Sequence, residues 1–319
     1  MSLQDTIDSK QSEKSPSRAF LTRSVELGLQ PALLVASLGL WLVYPDKPAI
    51  YLVVLVGGQI LLGTLEHVIP QRPDWVQPTR ELSRNIAIAV VILAWSIVLA
   101  HFYQSTFSEP LAALRSSLHL DFWPTTWPLF VQVFLAFVVA EFFQYWIHRA
   151  EHRWGLVWRF SGHGAHHSFK HLGAINSGVD HPFELFLLVA PAALTELLFG
   201  AGIAAAGAAI ITVTQTSIAH SNLRLNTKWI GGFLTTNEYH IRHHSIVFAE
   251  SNTNYSCSAI IWDRIFGTFA AGPTLEAGIG PSEPSLWEKI MMPIREPSDS
   301  EITPGVSHAE SLAKSPVRY

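Results

Sequence analysis

The sequence predicts an all-α fold, a multi-pass membrane helical bundle with a histidine-rich helical cap on its cytosolic side. Three observations point there. Of the 319 residues, 49% are hydrophobic and only 14% charged, and the mean hydropathy is +0.25, a more apolar balance than a soluble domain needs. The apolar residues gather in runs about one bilayer crossing long. Finally, residues 148–244, a window of 97, hold eleven of the fifteen histidines, where an even spread would place about four or five.

Residues 1–24 are polar at first, with Lys10, Lys14 and Arg18 among Ser, Gln and Asp, and are expected to be a disordered segment with no cleaved signal peptide. Residues 25–147 are expected to hold four membrane helices, at 27–44, 49–65, 85–103 and 127–147. The first two are separated by Pro45-Asp46-Lys47-Pro48, and the second stops at Glu66-His67 before Pro70. Trp41, Tyr44, Trp127, Tyr145 and Trp146 sit near the run ends, as an interfacial belt places them. The N-terminal segment carries Lys10, Lys14, Arg18 and Arg23, and the 66–84 loop carries Arg72, Arg80 and Arg84. The intervening loops have only Lys47 and Arg115. This bias predicts a cytoplasmic N-terminus and, after four crossings, cytoplasmic histidine clusters.

Residues 148–270 form the expected histidine-box region, interrupted by two Ala- and Gly-rich apolar stretches within 183–219 that suit a membrane-associated hairpin. Residues 271–319 are rich in Pro, Ser and Glu and are expected to be mostly disordered, apart from a short interfacial helix over 286–292.

The net charge of −4 comes without a basic stripe interleaved with aromatics, so no nucleic-acid partner is expected. Cys257 is the single cysteine, which excludes an intrachain disulfide, a CxxC zinc site and a Cys-ligated iron–sulfur cluster. Any metal must be held by nitrogen and oxygen. Neutral imidazole suits zinc, copper and iron.

His148 and His152 stand at i and i+4 on a predicted helix and share one face. The pattern His-x-x-His-His then occurs twice, as His163, His166 and His167 and, 77 residues on, as His240, His243 and His244. On a helix this spacing puts two ligands on one face and a third beside them. Eight clustered imidazoles exceed the three or four ligands of a single zinc and suit two metals with open positions. His181 and His220 stand alone as further candidates, and Glu141, Glu151, Asp180, Glu184 and Glu238 lie where carboxylates orient imidazoles. His171 is expected beside the clusters or at the surface, and His67, His101, His119 and His308 away from them.

Two other readings arise from the same residues. His148-x-x-Glu151-His152 fits a membrane zinc metallopeptidase with Glu151 as general base, which leaves both His-x-x-His-His copies without a purpose. A metal transporter would mark its path with ionisable residues inside the spans, where only His101 and Glu196 are found.

The motifs over roughly 130–270 resemble the fatty acid hydroxylase and sterol desaturase superfamily of membrane di-iron oxygenases. They run from Tyr145-Trp146-Ile147-His148 through His152, His163-Gly164-Ala165-His166-His167 and His181-Pro182-Phe183-Glu184. They continue with His220-Ser221-Asn222, Tyr239-His240-Ile241-Arg242-His243-His244 and Trp262-Asp263-Arg264-Ile265-Phe266-Gly267-Thr268. The resemblance implies that His148, His152, His163, His166, His167, His240, His243 and His244 ligate two non-haem irons. His181 and His220 occupy positions where many members carry more histidines, and the Trp-Asp-Arg segment would close the cytosolic cap. It implies dioxygen as cosubstrate and hydroxylation or desaturation of an unactivated C–H position in a membrane lipid such as a sterol, fatty acyl chain or ether lipid. A bacterial inner membrane or the endoplasmic reticulum would house it. Ser256 stands where glycine is common, and Glu141 and Gln144 lie where an aspartate is frequent. The sequence shows no clear Rossmann fingerprint, flavin motif or haem site, so electrons are expected from a separate protein, a ferredoxin or a b-type cytochrome with its reductase.

Overall fold

The computed structural model describes residues 16–120 and 122–295. Five helices are long and apolar enough to cross a membrane: α1 (Pro16–Val43), α2 (Ala49–Val68), α3 (Thr79–Ser117), α4 (Leu129–Arg153) and α9 (Ile203–His220). Short helices build the rest. They are α5 (Gly155–Ser161), α6 (Gly164–His167), α7 (Leu185–Leu188), α8 (Ala190–Phe199), α10 (Thr227–Ile230), α11 (Asn237–His243), α12 (Phe248–Ser251), α13 (Ile261–Phe266) and α14 (Leu286–Met291). Among the described residues there is no strand. Isolated bridges Pro70–Leu223 and Ser245–Ala277 pin loops instead.

The central helix is α9, whose small residues admit close neighbours. A Cβ on Gly207 would lie 2.5 Å from Val133 and 2.6 Å from the Trp41 ring, so α1 and α4 approach its backbone directly. Ala204, Ala208 and Ile210 of α9 join Trp41, Val54, Val133, Ala136 and Phe137 in the largest buried cluster. Outward, the helices keep exposed aliphatic and aromatic residues such as Val53, Ile60, Val90 and Phe102, as lipid-facing surfaces do.

α8 and α9 form a hairpin whose tip is fixed. Gly200 and Gly202 have φ of +61° and +55°, a turn open to residues without a Cβ. The Glu196 carbonyl accepts from Arg115 of α3 at 2.9 Å, and its carboxylate accepts from Gly202 N at 2.8 Å. The hairpin therefore reaches the far end of α3, opposite the cap.

The cap gathers at the other end. Glu66, at the last turn of α2, accepts from Ala174 N and Asn222 N, each at 2.8 Å. Gln59 donates to Ala174 O and to Ser217, and Asn222 holds Arg72 through its backbone N and O.

Two segments differ from the sequence expectation. Residues 16–24 are helical, because α1 continues beyond its apolar run to pack on the cap: Arg18 donates to Val68 O, and Asn226 N donates to Glu26 O. Residues 271–295 are ordered against the cap, with Ala277, Ile279 and Met292 buried and the Lys289 ammonium 3.7 Å over the Phe169 ring and 2.8 Å from Glu283. The remaining expectations of disorder, at 1–15 and 296–319, and His308 with them, lie outside the described residues.

Candidate metal centre

α4 does not stop at the membrane run but continues to Arg153, so His148 and His152 project from one face of its last turns into the cap. His163, His166 and His167 sit on the turn of α6, entered through Gly162 at φ +74°. His220 is the last residue of α9. α11 carries His240 and His243, with His244 at its end. All nine are buried.

They form two groups. Ligand atoms of His148, His152, His163, His167 and His243 lie within 4.8 Å of one another, as do those of His166, His220, His240 and His244. Each His-x-x-His-His copy is divided between them, in opposite sense. His163 and His167 go to the first group and His166 to the second, whereas His240 and His244 go to the second and His243 to the first. The groups adjoin, with the His167 and His244 rings stacked at 4.3 Å.

Tautomers follow from what lies behind each ring. Nδ1 of His148 meets Tyr255 O, that of His243 meets Thr253 O at 2.8 Å, and that of His220 meets Thr216 O at 2.9 Å. A carbonyl only accepts, so each Nδ1 carries the proton and each Nε2 presents a bare lone pair. His163 Nδ1 faces Glu184 Oε1 at 2.7 Å and His166 Nδ1 faces Asp180 Oδ1 at 2.8 Å. Yet the Nε2 atoms converge: His148 and His243 at 3.0 Å, His148 and His163 at 2.9 Å, His220 and His166 at 3.1 Å, His240 and His220 at 3.0 Å. Two lone pairs at that distance repel.

Protonation does not relieve this, because burial, reinforced by the neighbouring imidazoles, pushes His163, His167, His240 and His244 well below the usual histidine range. Burial does the same to His243, with the His148 charge next in weight. A cation within each group does relieve it. With metal–imidazole bonds of about 2.0–2.1 Å, ligands at right angles stand about 3.0 Å apart, which is the spacing seen. The donor set, all imidazole, fits a borderline first-row metal.

A third grouping, Glu151, His163 and Glu184, shares His163 and is the carboxylate backing of its Nδ1, with Glu151 Oε2 4.0 Å away. Of the other carboxylates considered, Glu141 accepts from Thr212 Oγ1 at 2.9 Å, and Glu238 is exposed.

His220, isolated in sequence, enters the second group. His181 is placed in neither. Its Nδ1 accepts from Phe183 N, and its Nε2 donates to Ile290 O at 3.1 Å. His171 lies beside Glu81, 3.2 Å away, at the surface of the cap.

Sequence spacing had no signal for the carbonyls of Thr253 and Tyr255, which come from a loop shaped by Asp263. That buried carboxylate accepts from Tyr255 N and Ser256 N at 2.8 Å and from Thr268 Oγ1 at 2.6 Å. Asn254, at φ +57°, ties the same loop to Tyr239 O and Ala270 O. Ser256 has no positive φ, so a side chain is accommodated there.

A family model described as fatty acid hydroxylase matches residues 133–268. Ornithine lipid hydroxylase OlsE of Rhizobium tropici is 30% identical over 254 residues, 77% of this chain and 75% of that protein. Alkylglycerol monooxygenase of Danio rerio is 30% identical over 151 residues, covering 46% of this chain and 32% of its own length. Very-long-chain aldehyde decarbonylase GL1-11 of Oryza sativa subsp. japonica is 30% identical over 165 residues, 49% of this chain and 57% of the relative. No solved structure matches.

Proposed function

The chain belongs to the fatty acid hydroxylase family, and on that premise we propose that it is a two-iron membrane enzyme that hydroxylates a C–H position of a membrane lipid. It is an oxygen-dependent oxidoreductase acting on lipids and a multi-pass membrane protein. The observation that carries the iron assignment is the convergence of nine buried Nε2 atoms in two adjoining groups. The five histidines of the first group would hold one ion and the four of the second the other.

Bound iron supplies dioxygen activation and the power to break an unactivated C–H bond, chemistry that no side chain provides. The chain's residues do the rest. Thr216, Thr253 and Tyr255 carbonyls and the Asp180 and Glu184 carboxylates fix ring orientation and keep each proton on Nδ1. Burial of all nine imidazoles excludes bulk water. One oxygen atom enters the C–OH product and the other leaves as water, which requires two electrons and two protons. A separate ferredoxin, or a b-type cytochrome with its reductase, is the proposed source, reaching the cap from the cytoplasm.

Hydroxylation is preferred over desaturation because two relatives are named a hydroxylase and a monooxygenase. An ornithine-type aminolipid is the first substrate to try. The zinc peptidase reading gains nothing, since a mononuclear site has no use for His166, His220, His240 and His244.

Purified protein is expected to carry about two irons per chain. Lipids from expressing cells grown under heavy-isotope dioxygen should contain one labelled hydroxyl. An unlabelled alkene would replace hydroxylation with desaturation, and retained lipid oxidation in His148→Ala or His243→Ala would remove the proposed site.

A further inference from the structure

The cap carries a row of exposed apolar side chains that the metal centre does not use: Leu156 and Phe160 of α5, Phe183, Trp287 and Ile290 of α14, and Ile294. Leu156 and Phe160 share a face at i and i+4, as do Ile290 and Ile294 along the continuing turn. These residues are 84%, 65%, 46% and 71% exposed respectively, and Trp287 is 68% exposed. Isolated exposed apolar residues need no explanation, but these are linked to one another. The Phe160 and Phe183 rings stack at 6.2 Å, His181 beneath them bonds Ile290 O, and Arg159 donates to Ile294 O at 3.0 Å.

The same row is joined to a helix of the membrane bundle. Trp95 of α3 donates to Pro182 O at 3.2 Å and meets the Phe186 ring edge-on at 6.4 Å. Val98 and Phe102, at i+3 and i+7 from Trp95, are exposed, as side chains on a lipid-facing surface are. Trp95 lies within the apolar run of α3 at 85–103, the crossing expected from hydropathy, so its partners stand at membrane level. Pro182 and Phe183 are held at that level by direct contact, and Phe160 and Ile290 by one contact more.

We propose that α5, Phe183 and α14 form one face of the cap inserted into the leaflet, between headgroups and acyl chains, with Arg159 and Arg295 at its rim reaching anionic phosphates. The row is amphipathic in the manner of an interfacial helix. Apolar side chains point out, while Lys289 and Met292 on the other side of α14 are buried in the cap. Trp287 and the two arginines supply the aromatic and cationic components that such surfaces use. The proposal rests on the multi-pass membrane reading and not on the identity of the metal.

The test uses the full-length protein in nanodiscs of phosphatidylcholine and phosphatidylglycerol, with a photoreactive diazirine in the acyl chain. After illumination, lipid adducts are mapped by mass spectrometry, and water exposure is mapped in parallel by hydroxyl-radical oxidation. The expected result is adducts on the peptides covering 156–160 and 287–294 as well as on the 95–102 segment of α3. The peptide containing Leu275, 81% exposed but outside this row, should carry none. Adducts on α3 with none on 156–160 and 287–294, together with strong oxidation of Trp287, would overturn the proposal and leave the membrane reading intact. Protection from oxidation without acyl-chain adducts would put a second copy or another protein there and also overturn it. No adducts on α3 would remove the membrane reading itself.

Discussion

Glu184 stands behind His163 at 2.7 Å, and burial pushes its carboxyl well above the ordinary range, with Asp180 and Glu151 adding repulsion. It acts through the imidazole, as a positioning residue. Glu184→Gln is expected to weaken metal retention about 10–100-fold, measured as iron lost to a competing chelator, while the protein remains folded. The buried histidines also set a pH dependence. Their folded-state affinity for protons is depressed, so below the unfolded value of about 6.5 the unfolded chain binds more protons and gains stability relative to the fold. The chelated protein should therefore lose stability as pH falls from about 6.5 towards 5, by about 1.4 kcal/mol per pH unit for each histidine protonated only on unfolding. A thermal melt independent of pH in that window would contradict this. At this scale the sequence was readable where spacing is local: the i, i+4 pairs and the two His-x-x-His-His copies needed no tertiary information. His181 and His220 were equivalent in sequence, each a lone histidine. Only the packing of α9 against α11 brings His220 to the second group, while α14 occupies His181.

Among the elements, α9 depends most on what it lacks. Gly207→Val would drive a branched side chain into Val133 and Trp41 and is expected to destabilise by about 1–3 kcal/mol, lowering the melting temperature in detergent by several degrees. Gly57→Ala on α2, where nothing lies within 4 Å, should leave it unchanged or slightly higher. Hydropathy located every long helix but misjudged where three of them end. α1 and α4 run on past their apolar cores because their polar extensions pack on the cap rather than on lipid, whereas α3 also extends at the opposite end, where Arg115 meets Glu196 at the hairpin tip. Within a tail rich in Pro, Ser and Glu, the short helix expected over 286–292 is found as α14, held by a Ser285–Glu288 capping box and by the pairing of Lys289 with Glu283.

Over the whole molecule, the start of α1, the ends of α2, α4 and α9, and α14 all lie at the cap end. Reporters fused ahead of Pro16 and behind residue 295 should therefore report the same side of the membrane, and the charge bias predicts that this side is the cytoplasm. Opposite signals would reject this topology. The division of the two His-x-x-His-His copies has a further consequence for assembly. Each ion would act as a cross-link that closes long chain loops, the longest running from His148 to His243 in the first group. Because α6 and α11 each contribute to both groups, removing either ion still leaves both segments tethered by the other. Unloading should then proceed through a half-loaded species that keeps its fold, visible in native mass spectrometry as a one-iron intermediate with a melting point between the empty and full forms.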